Sequence, residues 1–149
     1  MSSTEAHGNQ TIILVTDGSS AELTTLLDRA NLMPWRKNKF VLAAIVPRPV
    51  DARFYEPQFF NRTISEEEVE SVKRRLRHAC EQLLIDGCQA DVEIIYQDNP
   101  FDVTYALKAL HPNLIVGLRP ANRWTPWGCL KLMSRADLIK LSPCPVMLV

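Results

Sequence analysis

The feature that most constrains this chain is a recurring unit. A short run of β-branched and aliphatic residues is broken by a turn, and apolar residues at helical spacing follow. T-I-I-L-V-T at 11–16 runs straight into D-G-S-S. A run without polar alternation suits a strand covered on both faces, as in a parallel sheet. Ser19 and Glu22 have the spacing of a capping box, and Leu23, Leu26, Leu27 and Ala30 then recur at i, i+3, i+4 and i+7.

The unit returns three times, and a fifth apolar run follows. F-V-L-A-A-I-V at 40–46 is a second apolar run, ended by Pro47 and Pro49. Residues 47–62 carry prolines and the aromatics Phe54, Tyr55, Phe59 and Phe60 without period, which predicts a long loop packed on the domain. The next helix opens at Ser65 as N-cap with Glu68 at the third helical position. Ile64 and Val69 are placed as a hydrophobic staple, and three acids face the positive end of the helix dipole. Its apolar stripe is Val69, Val72, Leu76, Ala79 and Leu83, and Gly87 suits the position just past its end. V-E-I-I-Y at 92–96 predicts a third strand. Asn99 and Pro100 then read as cap and first residue of a helix with Val103, Ala106, Leu107 and Leu110 on one face. Leu114 to Val116 is the fourth strand. Thr125 and Pro126 open a last helix to about Leu141, apolar on more than one face, before P-C-P-V-M-L-V supplies a strand at 145–149. Five such strands separated by helices predict an α/β fold, an open parallel sheet with helices on both faces, because parallel strands require crossovers and both faces need cover. In such a sheet a ligand sits beyond the carboxyl ends of the strands, where the winding reverses.

With 149 residues, 46% of them apolar, the chain fits a single domain over 11–149 behind a polar tail at 1–10. No run approaches the roughly 20 apolar residues of a membrane span, so no membrane association is expected. Lys plus Arg equals Asp plus Glu at 17 each, which leaves no overall field to draw nucleic acid. The basic run K-R-R-L-R-H at 73–78 reads as a solvated helix face, with Glu70 four residues before Arg74 for an ion pair. Cys80, Cys88, Cys129 and Cys144 show no C-x-x-C spacing and are expected to be buried thiols in a reducing cytoplasm. His7, His78 and His111 are scattered and predict no metal site. No nucleophile and base can be paired for catalysis, and Asp17, Asp98 and Asp102 have structural explanations as turn or first-turn residues.

The order of these motifs resembles the universal stress proteins over nearly the whole chain. T-I-I-L-V-T-D-G-S-S is similar to that family's opening strand and turn, and S-P-C-P-V-M-L-V to its closing strand. D-N-P-F-D-V-T-Y-A-L at 98–107 is similar to the segment where the family has a Gly-x-Pro turn entering a helix, with Asp98 where glycine is common. The resemblance implies strand order 3-2-1-4-5, an adenine nucleotide alpha hydrolase-like architecture. It also implies, in the ligand-binding subgroup, ATP held by the aspartate after the first strand, a backbone position ending the second, and a G-x-x-G, nine residues, G-(Ser/Thr) loop after the fourth. Here these correspond to Asp17, to Ile45 and Val46, and to Gly117 with Arg119 in the loop.

That loop departs from the pattern. The second glycine is Pro120, which has no N–H to give and restricts Arg119 before it, and Leu130 and Lys131 stand where Gly and Ser would be. A phosphate cradle needs convergent N–H donors and glycines that let the backbone approach. Arg119 and Arg123 offer guanidinium groups as substitutes, together with the amides near Trp127 and Gly128, while Trp124 and Trp127 can instead fill the phosphate space. The resemblance is closest to degenerate domains of tandem-type members of the family. The leading expectation is therefore a stress-response protein with a degenerate nucleotide site and no cofactor. It acts through association with other proteins and as a homodimer through Val146, Met147, Leu148 and Val149 of the apolar edge strand. The alternative is an ATP- or AMP-binding switch using Asp17 and the loop after Gly117.

Overall fold

The computed structural model describes residues 10–30, 35–47, 65–97, 100–118 and 142–149. The strands are β1 (Thr11–Thr16), β2 (Lys39–Pro47), β3 (Gln89–Gln97), β4 (Leu114–Gly117) and β5 (Val146–Leu148). The described helices are α1 (Ser20–Ala30), α2 (Glu66–Ile85) and α3 (Pro100–Ala109). The five strands form one sheet in the order β3-β2-β1-β4-β5, and every pairing is parallel. This is the fold class and strand order expected above. The predicted helix over 126–141, the aromatics of the 47–62 segment, Ile64 and the Asp98–Asn99 turn lie outside the described residues.

Successive strand residues point to opposite faces, and the core divides accordingly. Ile12 and Leu14 of β1, with Phe40, Leu42, Ala44 and Val46 of β2, pack under Leu23 and Leu26 of α1 and the Val69, Val72, Leu76, Ala79, Leu83 stripe of α2. Ile13 and Val15, with Val41, Ala43 and Ile45, pack on the other face against Val103 and Leu107 of α3. Both faces of β1 and β2 are buried, which is why neither strand alternates in sequence. The strands extend past their apolar runs in β3, whose Gln89 and Gln97 pair with Lys39 and Pro47. The final strand is shorter than expected, because it pairs with β4 only from Val146 to Leu148. None of the described helices is long and apolar enough to cross a membrane.

Helix α2 carries complete signals at both ends. The Ser65 hydroxyl accepts the Glu68 amide at 3.1 Å. At the other end the Gly87 amide donates to the Leu84 carbonyl and the Cys88 amide to the Leu83 carbonyl, with Gly87 at φ 88°. This is a Schellman closure, and Cys88 and Leu83, the two positions it joins, are both buried in the same cluster. At the amino end of the sheet, Asn113 ties β1 to β4. Its Oδ1 accepts the Thr11 amide at 2.9 Å and its own amide donates to the Thr11 carbonyl at 2.8 Å. That end is closed by these two hydrogen bonds, whereas the turn at Asp17 leaves the carboxyl end of β1.

A Cβ added at Gly87 would meet nothing within 4 Å, so Gly87→Ala isolates the backbone cost of a left-handed residue. Chemical denaturation should show a loss of about 1 to 2 kcal/mol with an unchanged m-value.

Candidate functional site

Strand β1 sits between β2 and β4, at the point where the order of the sheet reverses. Its last pairs are Thr16 with Ala44 on one side and Val15 with Gly117 on the other. Asp17 therefore emerges one residue beyond the ladder, at the level of Ile45 and just above Gly117. The register brings together Asp17, Ile45, Val46 and Gly117, four of the residues singled out from the sequence. Ile45 and Val46 serve opposite faces of the core. The Gly117 carbonyl accepts the Val149 amide at 3.0 Å, which links the crest to β5. Arg119, Pro120, Arg123, Trp124, Trp127, Gly128, Leu130 and Lys131 lie outside the described residues.

The D-G-S turn is held by side chains at every step. Thr16, buried at 1% exposure, accepts the Gly18 amide on Oγ1 at 3.1 Å. Asp17 Oδ1 accepts the Ser19 amide at 2.8 Å, an Asx turn that mimics a backbone turn. Ser19 then caps α1, its hydroxyl accepting the Glu22 amide at 3.3 Å and its carbonyl the Leu23 amide at 3.0 Å. The expected capping box is thus half formed. Glu22 does not return a hydrogen bond to Ser19, whose amide is already taken by Asp17. Instead Glu22 Oε1 accepts the Asp17 amide at 2.9 Å.

Gly18 is where the turn meets α2. Its φ is 83°, and a Cβ built on it would lie 2.5 Å from Cγ1 of Val72. A side chain is excluded there both by conformation and by space. Arg75, one turn along the same helix, donates from Nε to the Gly18 carbonyl at 2.8 Å, across 57 residues of chain. Sequence reasoning placed Val72 on the apolar stripe without its partner and read Arg75 as solvated, so neither contact was expected. For the rest of that run the expectation was close. Glu70 pairs with Lys73 at 3.2 Å, whereas Arg74 turns to the Ser71 hydroxyl at 3.0 Å and leaves the expected partner at i+4.

One atom of the turn is left over. Asp17 Oδ2 is buried and has no hydrogen-bond partner among the described residues. A buried acceptor without a donor costs roughly 1–3 kcal/mol, more when it is charged, and such atoms mark places where something else supplies the donor.

None of the three described cysteines takes part in the hydrogen bonds of the crest turn. Cys80, Cys88 and Cys144 are free, and burial pushes each thiol up, assisted by Asp91 at Cys80 and by Asp86 at Cys88. They are protonated, poor nucleophiles at neutral pH. Cys129 lies outside the described residues. A concavity of about 440 Å³ runs between α2 and β3, lined by residues that include Lys73, Arg77, Cys80, Glu81 and Asp91, with charges of both signs. No group of three metal-ligating side chains is present among the described residues.

Comparison with solved structures bears on this arrangement. A universal stress protein in complex with cAMP matches with a TM-score of 0.59 and 20% identity, over 95% of this chain and 96% of that one. The universal stress protein from Archaeoglobus fulgidus matches with a TM-score of 0.57 and 16% identity, over 93% of this chain and 92% of that one. The chain has the universal stress protein fold. A family protein from Arabidopsis thaliana with AMP bound shares it too, with a TM-score of 0.52 and 14% identity over 94% of this chain and 90% of that one. No protein-family model and no curated protein sequence matches the chain. In terms of the universal stress protein fold, the Asp17 turn lies at the switch point of the sheet.

The Gly18–Val72 contact should be visible energetically. Gly18→Ala is expected to destabilise the fold by about 2 to 4 kcal/mol, combining left-handed strain with overpacking. In a double-mutant cycle, Val72→Ala should return part of that loss, with a coupling of about 1 kcal/mol or more.

Proposed function

We propose that this chain is a universal-stress-type protein that holds an adenine nucleotide at the crest of its sheet, beside Asp17, and works as a homodimer. The observation that carries the nucleotide reading is the Asp17 carboxylate, with one oxygen committed to Ser19 and the other buried without a partner among the described residues. A ribose hydroxyl or an exocyclic amine supplies the donor that oxygen lacks. Solved proteins of the same fold in complex with cAMP, dAMP and AMP support the ligand class, an adenine nucleotide with a single phosphate. Of the two readings the sequence leaves, this favours the nucleotide-binding one. The glycine-poor loop after β4 still argues against a firm grip on a triphosphate. Three free thiols suit a reducing compartment such as the cytoplasm.

The homodimer rests on β5. Its Pro145 carbonyl and Val149 amide bond to β4. By strand alternation, Val146 and Leu148 direct their amides and carbonyls away from the sheet. No described strand pairs with that outer side, and all four residues from Val146 to Val149 are only half-buried in the single chain. An apolar edge with free ladder groups is the surface on which a second copy adds its own strand.

Two measurements test these readings. AMP at a hundred times its dissociation constant stabilises the fold by about 2.7 kcal/mol, a rise of several degrees in melting temperature. Asp17→Ala should abolish that rise, and a wild-type midpoint unmoved by millimolar AMP would refute the nucleotide reading. Leu148→Pro removes an outward amide without touching the ladder to β4. Light scattering should report a folded monomer for this variant, and a dimer of unchanged mass would rule out pairing through β5.

A further inference from the structure

We propose that the concavity between α2 and β3 is a binding site for a zwitterionic ligand with an aliphatic body, of which a free aliphatic amino acid is the simplest case. β3 lies two strands away from β1 in the sheet, so this site does not depend on what the crest holds.

The concavity measures about 440 Å³, within the roughly 300–1,000 Å³ of small-ligand sites. Its helical wall is one face of α2, because Lys73, Arg77, Cys80 and Glu81 follow one another at i, i+4, i+7 and i+8. Its floor is Val92 and Ile94 of β3, partly buried residues packed against the α2 side of the core, and Asp91 stands beside them. Cys80, kept protonated by burial and by Asp91 and Glu81 nearby, adds apolar surface rather than a charge.

Lys73, Arg77, Glu81 and Asp91 surround this floor, and two of them are already engaged. Lys73 holds Glu70 at 3.2 Å, while Asp91 accepts the Val92 amide at 3.3 Å and pairs with Lys39 at 3.8 Å. Arg77 and Glu81 have no hydrogen bond or ion pair among the described residues. They stand one helical turn apart with the base on the N-terminal side, the weaker order for an i,i+4 pair. An uncommitted guanidinium and an uncommitted carboxylate thus flank one apolar surface without neutralising each other. A purely anionic ligand would meet Glu81 and Asp91, and a purely cationic one Lys73 and Arg77. A ligand carrying both charges avoids either conflict. Its carboxylate takes the Arg77 fork, its ammonium faces Glu81, and its side chain covers Val92 and Ile94. The Cβ atoms of residues one turn apart are separated by roughly 6 Å, a gap that two charges borne on a single α-carbon can bridge.

Titration of the full chain with L-leucine, leucinamide and N-acetylleucine, followed by the NMR resonances of the Cys80, Val92 and Ile94 amides, tests this. Leucinamide lacks the carboxylate and N-acetylleucine the ammonium. Leucine should shift the three amides saturably, and each derivative should bind about tenfold more weakly, equivalent to roughly 1.4 kcal/mol. Arg77→Met should weaken leucine by a similar factor and leave leucinamide unchanged. Glu81→Gln should likewise weaken leucine and leave N-acetylleucine unchanged. Both side chains are on exposed positions of α2, so neither substitution disturbs the core. Derivatives that bind as tightly as leucine would overturn the zwitterionic ligand in favour of one end of a peptide. A leucine affinity that either substitution leaves unchanged, or amides unmoved by about 10 mM leucine, would overturn the site itself.

Discussion

The crest of this sheet depends on one close approach, that of Gly18 to Val72. Because Gly18 lacks a Cβ, α2 packs directly against the turn that leaves β1, and Arg75 comes within hydrogen-bonding reach of the Gly18 carbonyl. Thr16 fixes the amide of the same residue from the strand side. With both its polar groups held and its α-carbon against a buried valine, Gly18 leaves Asp17 little freedom. The direction of the Asp17 carboxylate is thus set by a helix that begins 49 residues later.

The chemistry of the crest follows from where donors are missing. On the β1 side, the Asp17, Gly18 and Ser19 amides are satisfied by Glu22, Thr16 and Asp17 itself. In the segment after β4, Pro120 has no amide to offer, and Leu130 and Lys131 replace the small residues that would let a phosphate approach the backbone. On the proposed reading of the crest as a nucleotide site, both stretches are short of phosphate donors, and the turn presents an acceptor at the switch point.

The two edges of the sheet differ in the same kind of detail. Along β3, Gln89, Asp91 and Glu93 are exposed, and Asp91 pairs with Lys39 at 3.8 Å across well-solvated surface. Such a pair contributes little to stability, but charges on an edge discourage strand addition. Along β5 the residues are Val146, Met147, Leu148 and Val149, with no charge among them. The asymmetry suits the proposed pairing of two copies at β5.

The sequence by itself determined the elements. The β1 run at 11–16 and the five-residue stripe of α2 are where the period of the apolar residues put them, because alternation and helical spacing are local properties of a covered strand and a half-covered helix. The Ser65 cap and the Gly87 closure were legible for the same reason. Strand order was supplied by resemblance, since composition does not fix it. Tertiary structure alone decided the site. Glu22 has capping-box spacing, yet it bonds Asp17 because the Asx turn claims the Ser19 amide first. Arg75 sits in a run of basic residues that looks solvated, yet it grips a carbonyl 57 residues away. Neither outcome has a local signature, because each is settled by which donor and acceptor the packed chain brings within reach, and that depends on the fold as a whole.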